Sequence, residues 1–304
     1  MLNARPGLRA IILGSAAGGG VPQWNCRCRV CELARAADPR VKARTQVGVA
    51  ASTDGVHWLL IGASPDLRQQ IMQTAALAPQ AGLRHSPIVG IAVINADVDG
   101  LAGLLALRES QPFRLYAAAP VHRVIRDNPI FGVLDPALVK AVDVAPGEAT
   151  DCGHGLRLTL LPMPGKIPLY LEDRASTEPE PGPSFAALIE AGGRSLLVAP
   201  ACAEITEPVR DMLRRIDTIL FDGTLFTDDE MIVAGVGRKT GRRMGHVSMS
   251  GAGGSLSRLA DLPCRRIFVH INNTNPVLIE GSAEQVAIIA AGFEIAHDGM
   301  EVYA

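Results

Sequence analysis

Three cysteines within six residues, Cys26, Cys28 and Cys31 in the run GGGVPQWNCRCRVC, are the densest set of metal-ligating side chains in the sequence. Thiolates at Cys-x-Cys-x-x-Cys spacing can converge on one ion, and this predicts a structural zinc site. The competing reading is chance clustering of small, half-buried residues. Three thiolates leave a tetrahedral site one ligand short, and His270 is the first candidate for the fourth. Cys152, Cys202 and Cys264 are scattered near apolar segments, as reduced core thiols are.

Four other places carry polar residues where apolar runs end. In Ile94-Asn-Ala-Asp-Val-Asp-Gly100, the alternation of Asn95, Asp97 and Asp99 brings side chains to one face, as a metal or substrate site requires. An acidic turn capping the helix at Leu101 would use the same residues. Asp222 ends the apolar strand of FDGTLF and is a candidate ligand or base, although Asp-Gly is also an ordinary turn. His246, in GHVSMSG, sits in a loop where an imidazole is available for proton transfer. His270 is followed by Asn272, Asn273, Thr274 and Asn275, more donors and acceptors than one turn needs. His57, His85, His122, His154 and His297 have no comparable surroundings in sequence and read as structural or solvated.

The elements that must position these groups alternate between strand and helix. Strands are expected at Arg9–Gly14, 46–52, Trp58–Ile61, 88–95, 114–118, 156–161, 184–190, 195–199, 218–221 and 266–271. Asp54-Gly55 forms the turn between the second and third, and helices are expected at 66–77, 101–109 and 120–126. Gly14, Gly18, Gly19 and Gly20 free the loop after the first strand to take positive φ. Two strand-rich halves with helices outside imply an α/β, four-layer αββα sandwich, with chemistry at the C-terminal strand ends. The chain reads as one domain over residues 1–304, with a zinc-binding loop at about 14–35. The proline-rich stretch 174–183 reads as an exposed loop or lid.

Composition narrows the function. With 304 residues, 48% hydrophobic and 20% charged, a sizeable core is available. A net charge of −2 without a dense basic run predicts no nucleic-acid or anionic-membrane partner. No apolar run reaches the length of a membrane span, and the first residues lack a signal-peptide core, so a cytoplasmic location is expected. Aromatic content of 4% weighs against a stacking platform for bases or sugars. GxGxxG, GxSxG and HExxH are absent, which removes the commonest nucleotide, acyl-transfer and metalloprotease readings.

GSAAGGGVPQWNCRCRVC, ASPDLRQQI, PGKIPLY, FDGTLFTDDEM, GHVSMSG and HINNTNPVL fall in order from residue 14 to about residue 278. Together they resemble the pyrroloquinoline quinone (PQQ) biosynthesis protein B family. The resemblance implies the metallo-β-lactamase fold and a role in making PQQ from a cross-linked Glu–Tyr unit. It further implies oxygen-dependent hydroxylation of the tyrosine ring at non-haem iron, with ferrous iron the candidate active-site metal beside structural zinc. Carriage or transport of PQQ or its precursor without catalysis is the alternative. The implied partners are the PQQ intermediate or PQQ itself, a second copy of the chain and other proteins of the pathway.

Against the wider superfamily the chain departs from the His-x-His-x-Asp-His hydrolase motif. Asn95, Asp97, Asp99 and Gly100 stand at those places, and only the motif's aspartate survives. A binuclear zinc hydrolase needs several imidazoles, so the resemblance implies an oxygenase rather than a hydrolase. A two-histidine, one-carboxylate site would draw on His270, Asp99 or Asp97, and His246, with Asp222 and His246 otherwise handling protons behind the metal. Arg68 or Lys166 would hold substrate carboxylates, and Asn273 is a further substrate-binding candidate. His270 is claimed by both sites. Superfamily geometry implies the active site for it, and related phosphodiesterases with a similar cysteine cluster take their zinc ligand three residues later, where this chain has Asn273.

Overall fold

The apolar runs of the second half lie buried on both faces, and that fixes how the layers stack. In a computed structural model describing residues 7–168, 170–171 and 184–304, Leu196, Val198, Leu220, Ile267 and Val269 face one core. Their neighbours Leu197, Ala199, Ile219, Phe221 and Phe268 face another. Successive residues of a strand point to opposite faces, so these strands form a central layer covered on both sides.

The first sheet is built from β1 (Arg9–Gly14), β2 (Gly48–Ser52), β3 (Trp58–Ile61), β4 (Ile88–Val93), β5 (Phe113–Ala117) and β6 (Val139–Asp143). The second contains β7 (Ala149–Gly153), β8 (Leu156–Met163), β9 (Ser184–Ala191), β10 (Arg194–Ala199), β11 (Thr218–Asp222), β12 (Arg265–Val269) and β13 (Glu294–Ile295). β14 (Glu301–Tyr303) returns to pair with β1. Among the described residues each sheet has seven strands, in the orders β14-β1-β2-β3-β4-β5-β6 and β13-β12-β11-β10-β9-β8-β7. Residues of both sheets share one apolar cluster, and helices cover the outer faces, which is the expected αββα sandwich. β3 to β6 run parallel, as do β10 to β13, so their C-terminal ends open at one edge of the sandwich.

Several element boundaries differ from expectation. The segment expected as one helix from 101 to 109 is a short helix, Val98–Leu101, running into a 3-10 turn, Ala102–Leu107. Gly103 causes the break, because its backbone presses on the chain at Ala63–Ser64 and donates to Ala63 O at 2.8 Å. A Cβ at position 103 would lie 2.0 Å from Ser64 O and 2.8 Å from Leu67 Cβ. Gly103→Ala should therefore cost about 3 kcal/mol, read as a lower urea midpoint at unchanged slope. The helix expected at 66–77 likewise divides into Leu67–Gln73 and a 3-10 turn, Ala75–Leu77. β12 ends at Val269, one residue before His270, whose φ of +56° turns the chain out of the sheet. β6, β7, β13 and β14, and the helices Arg29–Arg35, Glu207–Leu213 and Ala283–Ala290, were not foreseen. β6 and β7 are edge strands without continuous apolar runs, so periodicity gives them no signal. The stretch 174–183, expected as a lid, lies outside the described residues.

The loop after β1 joins the two sheets at the open edge. Ala16 forms one bridge to Gln46 and another to Ile271. Asp298 anchors its base: Oδ1 accepts from Ser15 N at 3.0 Å and Ser15 Oγ at 2.8 Å, and Oδ2 from Thr45 N at 2.6 Å and Thr45 Oγ1 at 2.8 Å.

Candidate active site

The open edge holds a cavity of about 360 Å³ lined by strand ends from both sheets. Ile61, Ile94, Val198 and Met231 supply apolar wall, and Asp97, Asp99, Lys166, His246 and His270 supply the polar groups. Ligands of open α/β sheets bind beyond the carboxyl ends of parallel strands, and this pocket obeys that rule.

Asp222, the last residue of β11, is fully buried beneath it. Its Oδ1 accepts the hydroxyl proton of Thr224 at 2.6 Å and the Thr224 N–H at 3.0 Å, while Oδ2 accepts from Cys202 N at 2.9 Å and pairs with His246 Nδ1 at 2.8 Å. Thr224 Oγ1 also lies 3.0 Å from His246 Nδ1 and 2.8 Å from His270 Nδ1. Thr224 has one proton and gives it to Asp222, so both rings meet its oxygen as Nδ1–H donors. That fixes the tautomers and leaves Nε2 of each imidazole as the atom free for chemistry. The two rings stack with centroids 5.0 Å apart.

His270 Nε2 lies 3.1 Å from Asp99 Oδ2. Burial works against charge on this imidazole, but the hydrogen bond and charge of Asp99, with Asp222 and Asp97 beyond, outweigh it and raise its pKa. Burial likewise pushes the Asp99 carboxyl up, and the hydrogen bond from His270 with the charge of both histidines pulls it below its ordinary value. Asp97 goes the other way: burial, then the charge of Asp99, raise it against the pull of Lys166 and the histidines. A proton shared by His270 and Asp99 thus occupies a place suited to a cation. Ligand atoms of Asp222, His246 and His270 all lie within 4.8 Å of one another. Nε2 of His246 and His270 with Asp99 supply two imidazoles and a carboxylate at this pocket, a donor set that fits a divalent transition metal such as ferrous iron.

His246, whose Nε2 is the atom left for the pocket, joins His270 and Asp99 as a candidate ligand, whereas Asp222 has both oxygens taken by Thr224, Cys202 and the Nδ1–H of His246 and stands behind the rings; Asp97 lies at the pocket wall. Thr224, the residue that orients both rings, was overlooked. Its only mark in the sequence is a hydroxyl two residues past a strand-ending aspartate. Gly18 of the glycine-rich loop approaches Asp99 so closely that a Cβ there would lie 3.4 Å from Oδ2. A Cβ at Gly100 would meet Asn95 Oδ1 at 2.6 Å, an oxygen that accepts from Asp97 N at 3.1 Å. Asn95 and Gly100 thus fit one another, and a histidine at 100 requires Asn95 to move.

The cysteine cluster is a separate site, and His270 is not its fourth member. Asn273, three residues on, directs its amide at the sulfurs, with Nδ2 3.2 Å from Cys26 Sγ, 3.6 Å from Cys28 Sγ and 3.4 Å from Cys31 Sγ. A half-turn of that amide brings its carbonyl oxygen to the same spot, which suits a cation. Cys28 N–H donates to Cys26 Sγ and Gln23 N–H to Cys31 Sγ, each at 3.3 Å, as backbone donors around metal-bound thiolates do. Burial, with the neighbouring thiols, pushes Cys28 up to about 12, whereas backbone and side-chain donors overcome burial and lower Cys26. Three thiols so placed cannot ionise together without a cation, and zinc fits. Asn273 is accordingly no lining residue of the pocket, and neither is Arg68, which is exposed on the helix Leu67–Gln73. Lys166 does line it.

Glu230 braces the strand-end segment from behind. Its Oε1 accepts from Thr274 Oγ1 at 2.5 Å and its Oε2 from Phe226 N at 2.7 Å. Burial, only partly offset by these bonds, raises its pKa to about 7. A carboxyl protonated in the native state and ionised in the unfolded chain makes stability fall as pH rises from about 4.5 to about 7. The total loss is on the order of 3 kcal/mol. Glu230→Gln should flatten that slope in melting curves taken from pH 5 to 8.

Fold and site together place the chain in the β-lactamase superfamily, whose domain model matches residues 57–271. A diphosphatase of the PhnP family shares the fold at TM-score 0.67 and 21% identity, covering 97% of each chain. Much nearer are the coenzyme PQQ synthesis protein B of Methylobacterium nodulans and the zinc-bound PqqB structure from Methylobacterium extorquens. The first is 54% identical over 96% of this chain and 99% of its own. The second superposes with TM-score 0.94 at 50% identity, covering 97% and 99%. The chain belongs to the coenzyme PQQ synthesis protein B family.

Proposed function

We infer that this chain acts in PQQ biosynthesis as an iron- and oxygen-dependent hydroxylase of the tyrosine ring of the Glu–Tyr-derived intermediate. The observation that carries the reading is the placing of His246 and His270, both held through Nδ1 by Thr224 and Asp222, beside Asp99 in a partly apolar pocket. A binuclear hydrolase needs more imidazoles than this pocket has, whereas a single ferrous ion needs two imidazoles and a carboxylate. When bound, the iron supplies the means to activate oxygen. The residues do the rest. Ile61, Ile94 and Val198 offer an apolar wall to an aromatic ring, and Lys166 offers a cation to the substrate's carboxylates. Thr224 and Asp222 hold both imidazoles in one tautomer, and Asp97, with its raised pKa, is suited to accept or return a proton at the pocket wall.

The competing reading, carriage of PQQ or its precursor, draws on Asn95 and Gly100 standing where hydrolases of the superfamily have histidines. Purification without oxygen, followed by ferrous iron, a reductant and a tyrosine-containing analogue of the intermediate, separates the two. Oxygen uptake matched by hydroxylated product supports the hydroxylase. Tight PQQ binding with neither uptake nor product supports the carrier.

A further inference from the structure

We propose that Asp54, His57 and His154 form a third metal site, on the outside of the sandwich, for a borderline divalent cation such as Ni2+, Cu2+ or Zn2+. The three residues come from two turns. Asp54 and His57 lie between β2 and β3 of the first sheet, and His154 lies between β7 and β8 of the second. Both turns precede the strands, β3 and β8, that run towards the pocket, so this cluster sits at the far end of the sandwich. It is independent of the proposed hydroxylase chemistry.

The carboxylate is aimed. Asp54 Oδ1 accepts from Ser52 Oγ at 3.1 Å and from the N–H groups of Val56 and His57, each at 2.8 Å. Oδ2 is thereby turned towards the imidazoles, 2.7 Å from His57 Nδ1 and 4.0 Å from His154 Nδ1. The rings stack face to face, with centroids 3.7 Å apart and planes 15° from parallel. Two imidazolium ions would repel one another in that stack, whereas two neutral rings can tilt apart and turn their Nδ1 lone pairs to one cation at Oδ2. The three ligand atoms lie within 4.8 Å of one another.

The second turn is fastened to the first. His154 has φ of +53°, between Gly153 at +79° and Gly155 at +75°, and it is the one residue of the three that bears the cost of a left-handed backbone. Thr53 Oγ1 donates to His154 O at 2.5 Å and fastens this turn to the other. Metal–ligand bonds of roughly 2.0–2.2 Å in tetrahedral geometry set ligand atoms roughly 3.3 Å apart. Closing His154 onto the ion therefore takes a shortening of less than about 1 Å from the present 4.0 Å together with a tilt of the rings out of their stack, because each Nδ1 lone pair lies in its own ring plane and the two planes are nearly parallel. Imidazole and carboxylate donors select Cu2+, Ni2+ and Zn2+ over Mg2+ and Ca2+. Three protein ligands leave a position for water, and the bound ion staples one sheet to the other.

The test is calorimetric titration with Ni2+ of protein whose thiolate site already holds zinc, comparing wild type with His57→Ala and His154→Ala. Wild type is expected to bind one more equivalent than either variant and to gain a Ni2+-dependent rise in melting temperature that both variants lose. Equal stoichiometry, affinity and thermal shift in all three proteins would overturn the site. Because a turn variant can perturb folding, the wild type is also tested directly. Sub-stoichiometric Ni2+ should broaden the ring-proton signals of His57 and His154 together, and signals that stay sharp through the first equivalents contradict the proposal.

Discussion

His270→Ala should lower ferrous-ion affinity and oxygen-dependent product formation by more than about 100-fold, while the protein keeps its zinc. Loss of a hydrogen-bond partner behind a ligand typically costs about 10–100-fold, and loss of the ligand itself exceeds that range. The ring cannot be replaced from nearby. Its φ of +56° and its bonds to Thr224 and Asp99 hold Nε2 at one point between the sheets. Thr224→Val, which removes the hydroxyl that orients both imidazoles but takes away no metal ligand, should fall inside the 10–100-fold range. Metal affinity and turnover, each measured beside zinc content, distinguish these two effects from general unfolding.

Cys31→Ser has the opposite signature. Zinc is lost, and stability falls by about 3–5 kcal/mol, on the order of 10 °C in melting temperature. The cluster pins the loop that carries Gly18 past Asp99, and Asn273 connects it to the strand end three residues after His270. Arg35, from the helix that begins beside Cys28, donates to the carbonyls of Gln23 and Cys26 and holds the loop's other side. Activity should therefore decline along with stability, because Gly18 no longer holds its place beside Asp99. Differential scanning calorimetry with metal analysis checks this, and excess zinc should restore the wild type after chelation but not the variant.

The cysteine cluster was legible because its three ligands are local, spanning six residues. Its fourth member was not, since Asn273 is remote in sequence and an amide at the end of a strand has many ordinary uses. The active site was legible as a set of strand ends, but the ranking within it was not. His246 looked like a supporting group because nothing in FDGTLF or GHVSMSG shows that one hydroxyl, Thr224, draws its ring beside His270. Arg68 was expected in the pocket from charge alone, and the helix Leu67–Gln73 turns it to solvent. The fold followed from apolar runs buried on both faces, such as Ile267–Val269, and its misses were edge strands such as β6, where half-exposed residues leave no pattern. His57 and His154 show the limit most plainly. They stack at 3.7 Å yet come from turns of different sheets, and neither has a neighbour in sequence that announces the other.

Isotope labelling tests the central claim most directly. The iron-loaded protein is given reductant, the tyrosine-containing intermediate and 18O2, and the product is weighed by mass spectrometry. Hydroxylation places one oxygen atom of O2 on the ring and sends the other to water with two electrons from the reductant. The account therefore predicts a product two mass units heavier per hydroxylation than that made under 16O2, and none with His270→Ala. Unlabelled product, or none at all from iron-loaded wild type, would contradict it.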